Sequence, residues 1–332
     1  MRAGFAAGGG LRPNGDRAGG GVIGGVDIGG TKIAAAAVAS DGRIISRAEC
    51  ATNASQGFES GMQRIVGLLQ ECARAARGKF KGIGVGTTGP IDPQTGVFGT
   101  VDNLPGWKGF NLKQPLEREF GVPVAIENDA DAAALGEAAW GAGRGKSRFI
   151  YVTVSTGIGG GIVFDGELYR GVDQSHPELG HMVVEASGPL CYCGAHGCWE
   201  WMAAGPAMVT WVRENAPAGV DLPADLSAKE ICRLAEQGDA LARKAVEREG
   251  YYLGVGLANL VTMYCPDAIA LGGGVMGSAH LFLDRAREVV RTSCTLVPAE
   301  KTEILLARMG GDAGVAGAAL AWHNRFEKQK RL

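Results

Sequence analysis

Four side chains with metal-binding chemistry lie close together near the middle of the chain. His181 is followed by Cys191, Cys193 and Cys198, and glycines between the cysteines allow the segment to turn tightly. One imidazole and three thiolates complete a tetrahedral Zn²⁺ shell, which leaves no coordination position open for water. The pattern therefore predicts a structural zinc site, with His196 as an alternative histidine ligand.

Asp129 is the candidate for acid–base chemistry. It lies where a predicted strand at 122–126 gives way to a helix predicted over 129–140, a position at the edge of a cleft. A carboxylate there could accept the proton of a hydroxyl group that attacks a phosphate. The alternative is a helix cap, because Asp and Asn are favoured at that position. Asp131 is expected to be solvated or to lie between lobes.

Three glycine-rich turns follow predicted strands and could bring bare backbone N–H groups to a nucleotide. They cover 27–32, 155–161 and 271–275, and none has the GxxxxGK[ST] pattern of a P-loop. Each alone could be a structural turn, whereas three in order favour phosphate binding. Asp27 beside phosphates would require a divalent cation between them. The candidate ATP contacts are Asp27, Gly29, Gly30, Thr31, Lys32, Thr156, Gly157, Gly159, Gly160, Gly272, Gly273 and Gly274.

Polar residues around the predicted zinc site could bind a hydroxylated acceptor. Glu178 and Glu200 lie just before and just after the cluster, so a bound metal would hold both carboxylates in one rigid patch. The alternative is that both are surface charges. Asn103 and the Gly89 backbone lie in turn-forming segments that could reach a small polar ligand or serve only as turns.

The elements that must position these residues form a repeated pattern. A strand, a glycine turn, a strand, an Asp-Gly turn and a third strand occur over 22–50 and again over 148–170, which predicts two related α/β lobes. Helices and further strands alternate around these units. The predicted helices cover 58–77, 111–120, 129–140, 205–215, 227–237, 239–264, 278–294 and 312–327, and the further strands cover 80–86, 122–126, 268–271 and 303–307.

Composition excludes several classes of protein. The 332 residues carry 33 Lys plus Arg against 35 Asp plus Glu, so no basic excess drives binding to nucleic acid or to a membrane surface. The 54 glycines follow no collagen period, and no apolar run approaches the ~20 residues of a transmembrane helix. Residues 1–21 are predicted to be a flexible tail without an export signal. A cytoplasmic location is therefore expected, with the cysteines as thiols or metal ligands.

In order along the chain, the three turns resemble the two phosphate motifs and the adenosine motif of the sugar kinase/actin/heat-shock-protein ATPase superfamily. Together with the segment His181-x₉-Cys-x-Cys-Gly-x-x-Gly-Cys198, they resemble the ROK family (repressors, open reading frames and sugar kinases) over nearly all of 22–325. The resemblance implies a two-lobed actin-like (ribonuclease H-like) α/β fold. A small domain over 22–129 would be joined by a C-terminal helix at 312–332, and a large domain over 130–311 would carry the zinc insertion.

The resemblance also implies a function. It places Asp129 on the family's catalytic base and His181 on a residue that binds zinc with one nitrogen and sugar with the other. The implied reaction is ATP-dependent phosphorylation of a hexose, with glucose the favoured substrate, Mg²⁺ near Asp27, structural Zn²⁺, and a homodimer as the assembly. The positions that fall on the family's sugar contacts are Gly89, Asn103, Asn128, Asp129, Glu178, His181 and Glu200.

Several alternatives to a glucokinase stay open. Fructokinase and N-acetylmannosamine or N-acetylglucosamine kinase are rivals within the class, and the dipeptide His176-Pro177, where the family often has Ala-Gly, blurs substrate choice. A sugar-responsive repressor is disfavoured because the residues before Asp27 are few, glycine-rich and without helical pattern. A polymerising or chaperone ATPase would have no use for a metal-ordered acceptor patch.

Overall fold

Two five-stranded sheets organise the chain. The computed structural model describes residues 21–328, so the tail predicted over 1–21 lies, apart from Gly21, outside the described residues. The first sheet contains β1 (Val22–Ile28), β2 (Lys32–Val38), β3 (Ile44–Ala51), β4 (Phe80–Thr87) and β5 (Val124–Asn128). The second contains β6 (Arg148–Val154), β7 (Ile158–Phe164), β8 (Glu167–Leu168), β9 (Ala268–Gly272) and β10 (Glu303–Leu306).

The two sheets have the same topology. Their strand orders are β3-β2-β1-β4-β5 and β10-β9-β6-β7-β8, which is one order read from opposite edges. In each sheet the first three strands pair antiparallel and the last two join in parallel. The repeat predicted from the sequence is therefore present in the fold.

Helices cover the sheets, and their apolar spacing follows the sequence pattern. In α1 the residues Phe58, Met62, Ile65 and Leu69 recur every three or four positions and are buried. The helix predicted at 278–294 is interrupted, because a 3₁₀ segment over Gly274–Leu281 precedes α8. The helices are α1 (Gly57–Ala75), α2 (Lys113–Phe120), α3 (Asp129–Trp140), α4 (Trp199–Ala203), α5 (Gly205–Asn215), α6 (Ala228–Glu236), α7 (Ala240–Tyr264), α8 (Leu283–Ser293) and α9 (Ala313–His323).

Helix α9 packs directly onto the first sheet although it follows the second sheet in the chain. A Cβ atom on Gly25 of β1 or Gly84 of β4 would overlap the backbone of α9, so glycine lets helix and strands touch. At the far end of α9, Trp322 Nε1 donates a hydrogen bond to the carbonyl oxygen of Pro123 at 2.9 Å. Within residues 21–328, no helix combines the length and the apolar character needed to cross a bilayer.

Candidate active site and metal centre

Asp129 begins α3 at the carboxyl end of β5, and it is not the cap of that helix. The cap is Asn128, whose Oδ1 accepts hydrogen bonds from the N–H groups of Ala130 at 2.9 Å and Asp131 at 3.3 Å. Asp129 Oδ1 accepts only from the N–H of Ala130, at 2.8 Å, among the described residues. Asn128, and not Asp129, therefore caps the helix, and Oδ2 of Asp129 is left for other chemistry.

Two carboxylates, Asp27 and Asp129, lie at the ends of strands of the first sheet, close enough for the charge of Asp129 to act on Asp27. Burial raises the pKa of Asp129, with a further rise from Glu178, against the lowering effects of the Ala130 N–H and of His176. Burial and the charge of Asp129 raise the pKa of Asp27 to about 6. The two half-buried carboxylates repel each other, and the charges of Lys32 and Arg47 offset only part of the effect on Asp27. This donor chemistry fits a hard divalent cation such as Mg²⁺.

The first glycine turn lies against predicted sugar-binding residues. A Cβ on Gly30 would be only 3.1 Å from Asn103 Nδ2, and Asn103 in turn donates to Thr88 Oγ1 at 3.3 Å. A Cβ on the adjacent Gly89 would lie 4.0 Å from Asn128 Nδ2. The turn at 27–32, the turn at 87–90 and the start of α3 therefore meet at one edge of the first sheet.

Lys32 pairs with a neighbouring strand, although its charge still lowers the pKa of Asp27. Its Nζ donates to Glu49 Oε2 on the neighbouring strand at 3.1 Å, and both side chains are nearly half exposed. Glu49 thus neutralises part of the charge that was predicted to reach a phosphate. The contact of Lys32 with ATP, like that of Thr31, remains a prediction.

The second glycine turn joins the start of α3 to the metal-flanking segment. A Cβ on Gly159 would lie 3.5 Å from Ala130 Cβ, so this turn faces the first residues of α3. The N–H of Ile158 donates to Glu200 Oε2 at 2.9 Å, and a Cβ on Gly157 would overlap that same carboxylate oxygen. Gly157 is therefore required by Glu200, and Glu200 orders the turn as well as flanking the predicted metal site.

Two glycines of the third turn are explained by packing against neighbouring residues. A Cβ on Gly272 would lie 2.5 Å from Tyr151 Oη, and a Cβ on Gly273, whose φ is 91°, would overlap the backbone of Val154. A Cβ on Gly274 would instead meet only Ser155 Oγ, at 3.7 Å. The third turn therefore adjoins the second, as a shared nucleotide site requires, while its first two glycines carry a structural reason of their own.

The four predicted metal ligands converge. The ligand atoms of His181, Cys191, Cys193 and Cys198 all lie within 4.8 Å of one another. Cys193 Sγ is 3.4 Å from Cys198 Sγ, and His181 Nδ1 is 3.5 Å from Cys191 Sγ, spacings close to those that bonds of about 2.0–2.3 Å to one tetrahedral ion would impose. His196 instead contacts the carbonyl oxygen of Gly188 at 3.0 Å. These four residues could hold a metal ion.

The other nitrogen of His181 faces away from the thiols. Its Nε2 is 2.9 Å from the hydroxyl of Tyr192, and the same hydroxyl donates to Glu200 Oε1 at 3.3 Å. Tyr192 is 73% exposed, so the ring stands over the two predicted sugar contacts from the solvent side. Nothing in the sequence singled out Tyr192, because its position between two cysteines draws attention only to the metal.

Asp131 is buried beside the second sheet, so of its two expected places the solvated one is wrong and the one between the lobes agrees with the structure. Its side chain is 0% exposed, and Arg170 Nη1 donates to Asp131 Oδ2 at 2.7 Å. Arg170 follows β8 in the second sheet and also pairs with Glu127 of β5 at 2.6 Å, so this guanidinium links the two sheets. The Asp131 carboxylate thus has a cationic partner, which sequence alone does not reveal.

The sequence profile of the ROK family matches residues 23–325. The chain belongs to the ROK family. Among curated relatives, a glucokinase of Thermotoga maritima is 33% identical over 292 residues, which cover 85% of this chain and 91% of that protein. A xylose repressor of Bacillus subtilis is 33% identical over 236 residues, which cover 71% of this chain and 59% of the repressor.

Solved structures of ROK proteins share the whole architecture. A ROK hexokinase from Thermus thermophilus is 36% identical with a TM-score of 0.77, covering 90% of this chain and 97% of the other. A ROK glucokinase from Streptomyces griseus, solved with glucose and AMPPNP, is 35% identical with a TM-score of 0.75, covering 90% and 98%. The two-lobed actin-like fold implied by the resemblance is confirmed.

Proposed function

We propose that this ROK-family protein is a sugar kinase that transfers the terminal phosphate of ATP to a hexose, with glucose as its preferred substrate. The observation that carries the proposal is the position of Asp129. Freed from capping by Asn128, it begins α3 next to Ala130, which faces the second glycine turn, and it is close enough to Glu178 for that charge to raise its pKa. Such a carboxylate can take the proton of a hydroxyl that attacks a phosphate.

The chain's own residues supply positioning and proton transfer. The glycine turns offer backbone N–H groups to the phosphates, and Glu178, His181 Nε2 and Glu200 offer fixed partners for sugar hydroxyls. Asp129 accepts the hydroxyl proton as the sugar oxygen bonds to the γ-phosphorus of ATP, while the bond from that phosphorus to the β,γ-bridging oxygen breaks and ADP leaves. Mg²⁺ held by Asp27 would supply charge neutralisation on the phosphates, and Zn²⁺ held by the four ligands would fix His181 and Glu200 relative to each other.

A coupled assay of ADP release tests the proposal. The substrate panel is glucose, mannose, fructose, N-acetylglucosamine, N-acetylmannosamine and xylose, each at one fixed concentration, with a sugar-free reaction to measure background ATP hydrolysis and a metal analysis of the same preparation. We expect sugar-dependent ADP release that is fastest with glucose. Replacing ATP by polyphosphate identifies the donor, and the absence of sugar-dependent release with every hexose contradicts the proposal.

A sugar-responsive repressor is the second candidate, because the xylose repressor of B. subtilis is as similar in sequence as the glucokinase is. A sensor that only binds a sugar has no need of a base beside the bound hydroxyl, so the uncapped, half-buried Asp129 favours the kinase. Retention of a specific DNA sequence at physiological salt, released by sugar and without ADP formation, would establish the repressor instead.

We expect substitution of Tyr192 by Phe to lower the KM for the sugar by about two- to fivefold. The change removes the hydroxyl that occupies His181 Nε2 and Glu200 Oε1, while the ring stays in place. Tyr251→Phe is the matched control, since Tyr251 is also partly exposed but lies on α7. A rise in KM would instead identify the hydroxyl as a sugar ligand.

We expect kcat/KM for the sugar, at saturating ATP, to fall as the pH drops, with an apparent pKa above the ordinary 3.8 of an aspartate. Burial raises the pKa of Asp129, and the protonated carboxyl cannot accept a proton, so activity is lost as the pH falls through that raised value. The rate is measured across about pH 3 to 9 alongside thermal unfolding. An acid limb at or below 3.8 with the fold intact would contradict the assignment.

A further inference from the structure

The Glu178 carboxylate has a single recorded partner within residues 21–328. His176 Nε2 lies 3.2 Å from Glu178 Oε1, and no other side chain there makes a hydrogen bond or ion pair with that carboxylate. Its side chain is 64% exposed, so packing does not restrict its rotamers. Contact with His176 is therefore the only feature of the fold that selects one orientation of Glu178.

His176 itself lies over a buried carboxylate. Its side chain is 26% exposed, and its Nδ1 lies 3.7 Å from Asp131 Oδ2, within ion-pair range of a charged imidazole but without a hydrogen bond. Burial disfavours the charged imidazole, but Glu178 and Asp131 outweigh it, and the pKa of His176 is raised. The ring thus lies between two carboxylates, one fixed inside the protein and one facing the proposed sugar site.

The base of this arrangement is rigid. Asp131 lies on α3 two residues after Asp129, and Arg170 pairs with it and with Glu127. A Cβ on Gly161 of β7 would lie 2.7 Å from Asp131 Oδ1, so the carboxylate is also enclosed by the second sheet. The position of the His176 ring is consequently tied to the same helix that carries Asp129.

The backbone on the other side of Glu178 is fixed as well. Leu179 and Gly180 are buried, and a Cβ on Gly180 would overlap the carbonyl oxygen of Ile158. Before His176, by contrast, the chain is exposed and passes through left-handed conformations at Asp173 and Gln174. The segment is anchored after Glu178 by packing, and before it by the imidazole.

We infer that His176 is a positioning residue, which holds Glu178 Oε1 so that Oε2 stays free to accept a hydrogen bond from a sugar hydroxyl. The inference rests on the proposed function, because it assumes that Glu178 binds the sugar. His176 touches neither substrate: it acts through Glu178, and Asp131 and Arg170 set its place. The interaction connects sugar binding to the helix of the proposed base.

Two amides of different length test this geometry. In His176→Gln the amide nitrogen falls near the place of Nε2. In His176→Asn it falls near the place of Nδ1, and the shorter side chain does not reach Glu178. We expect His176→Asn and His176→Ala to raise the KM and the Kd for the sugar by about tenfold, with kcat within about threefold and the KM for ATP within about twofold. His176→Gln should keep the sugar Kd within about threefold of wild type.

A double-mutant cycle shows whether His176 acts through Glu178. In a Glu178→Gln background, His176→Ala should change the sugar Kd by less than about twofold, because the contact it serves is already altered. Should His176→Ala fail to fold, the Gln and Asn variants give the same comparison. A sugar Kd unchanged in both Asn and Ala variants, equal damage in Gln and Ala, or full additivity with Glu178→Gln would each overturn the inference.

Calorimetric measurement of the sugar Kd separates the inference from the proposed function. A wild-type protein that binds hexose without releasing ADP would overturn the kinase proposal, and the order of Kd values among the variants would still decide the role of His176. Active wild type with variants that keep its Kd would overturn the inference alone. No binding of any hexose would overturn both.

Discussion

Substitution of Asp129 by Asn is expected to lower kcat by about three orders of magnitude while the Kd for the sugar stays within about threefold. The amide keeps the size of the side chain and its place beside the Ala130 N–H, but it cannot accept the hydroxyl proton. Because Asn128 rather than Asp129 caps α3, the helix should keep its stability. The measurement is kcat from coupled ADP release, with sugar binding followed by calorimetry.

The comparison needs a control for a neutralised aspartate elsewhere. Asp221 is exposed and lies outside the site, so Asp221→Asn should match wild type in kcat. Asp129→Ala should resemble Asp129→Asn in kcat if proton transfer is what was lost. Near-normal turnover in either Asp129 variant would remove this residue from its proposed role.

Loss of the metal is the second change for which we expect a large effect. Cys198 is buried, and its substitution by Ser removes one thiolate of the proposed site. We expect the bound zinc to be lost and kcat/KM for the sugar to fall by about 10- to 100-fold, because His181 and Glu200 no longer have a common anchor. Glu200 also accepts from the Ile158 N–H, so the second glycine turn should loosen and the KM for ATP should rise.

Metal content by mass spectrometry, thermal unfolding and both KM values are measured on the same sample. Cys265→Ser is the matched control, since that thiol is exposed and lies outside the cluster. Treatment of the unaltered protein with a chelator should reproduce the losses. Full activity in a protein free of metal would show that the four ligands have no part in ordering the sugar site.

The sequence predicted what depends on local pattern. The repeated strand units, the start of α3 at Asp129 and the convergence of His181 with three cysteines all follow from periodicity or short spacing, and each is present in the structure. The helix predicted over 278–294 is split because the backbone at Ser278 and Phe282 departs from α geometry, which apolar spacing does not register.

What could not be predicted depends on contacts between distant parts of the chain. Asp131 is buried with Arg170 as its partner, and Arg170 lies 39 positions away in the sequence. The proposed role of His176 depends on its contact with Asp131, which only the folded chain brings about. The glycines of the third turn were interpreted as space for a nucleotide, yet Gly272 and Gly273 are also demanded by Tyr151 and Val154. A glycine in a sequence indicates that other atoms approach the backbone closely, but it does not identify those atoms.

The packing of α9 on β1 and β4 has a consequence for how the protein is made. A ribosome delivers β1 to β5 first, but the helix that covers one face of their sheet emerges only after every strand of the second sheet. Until then the surface that will receive Val315 and Trp322 stays uncovered, and apolar surface left uncovered during synthesis invites aggregation and chaperone capture. The first sheet is therefore translated early, but its packing is completed only after α9 has been synthesised.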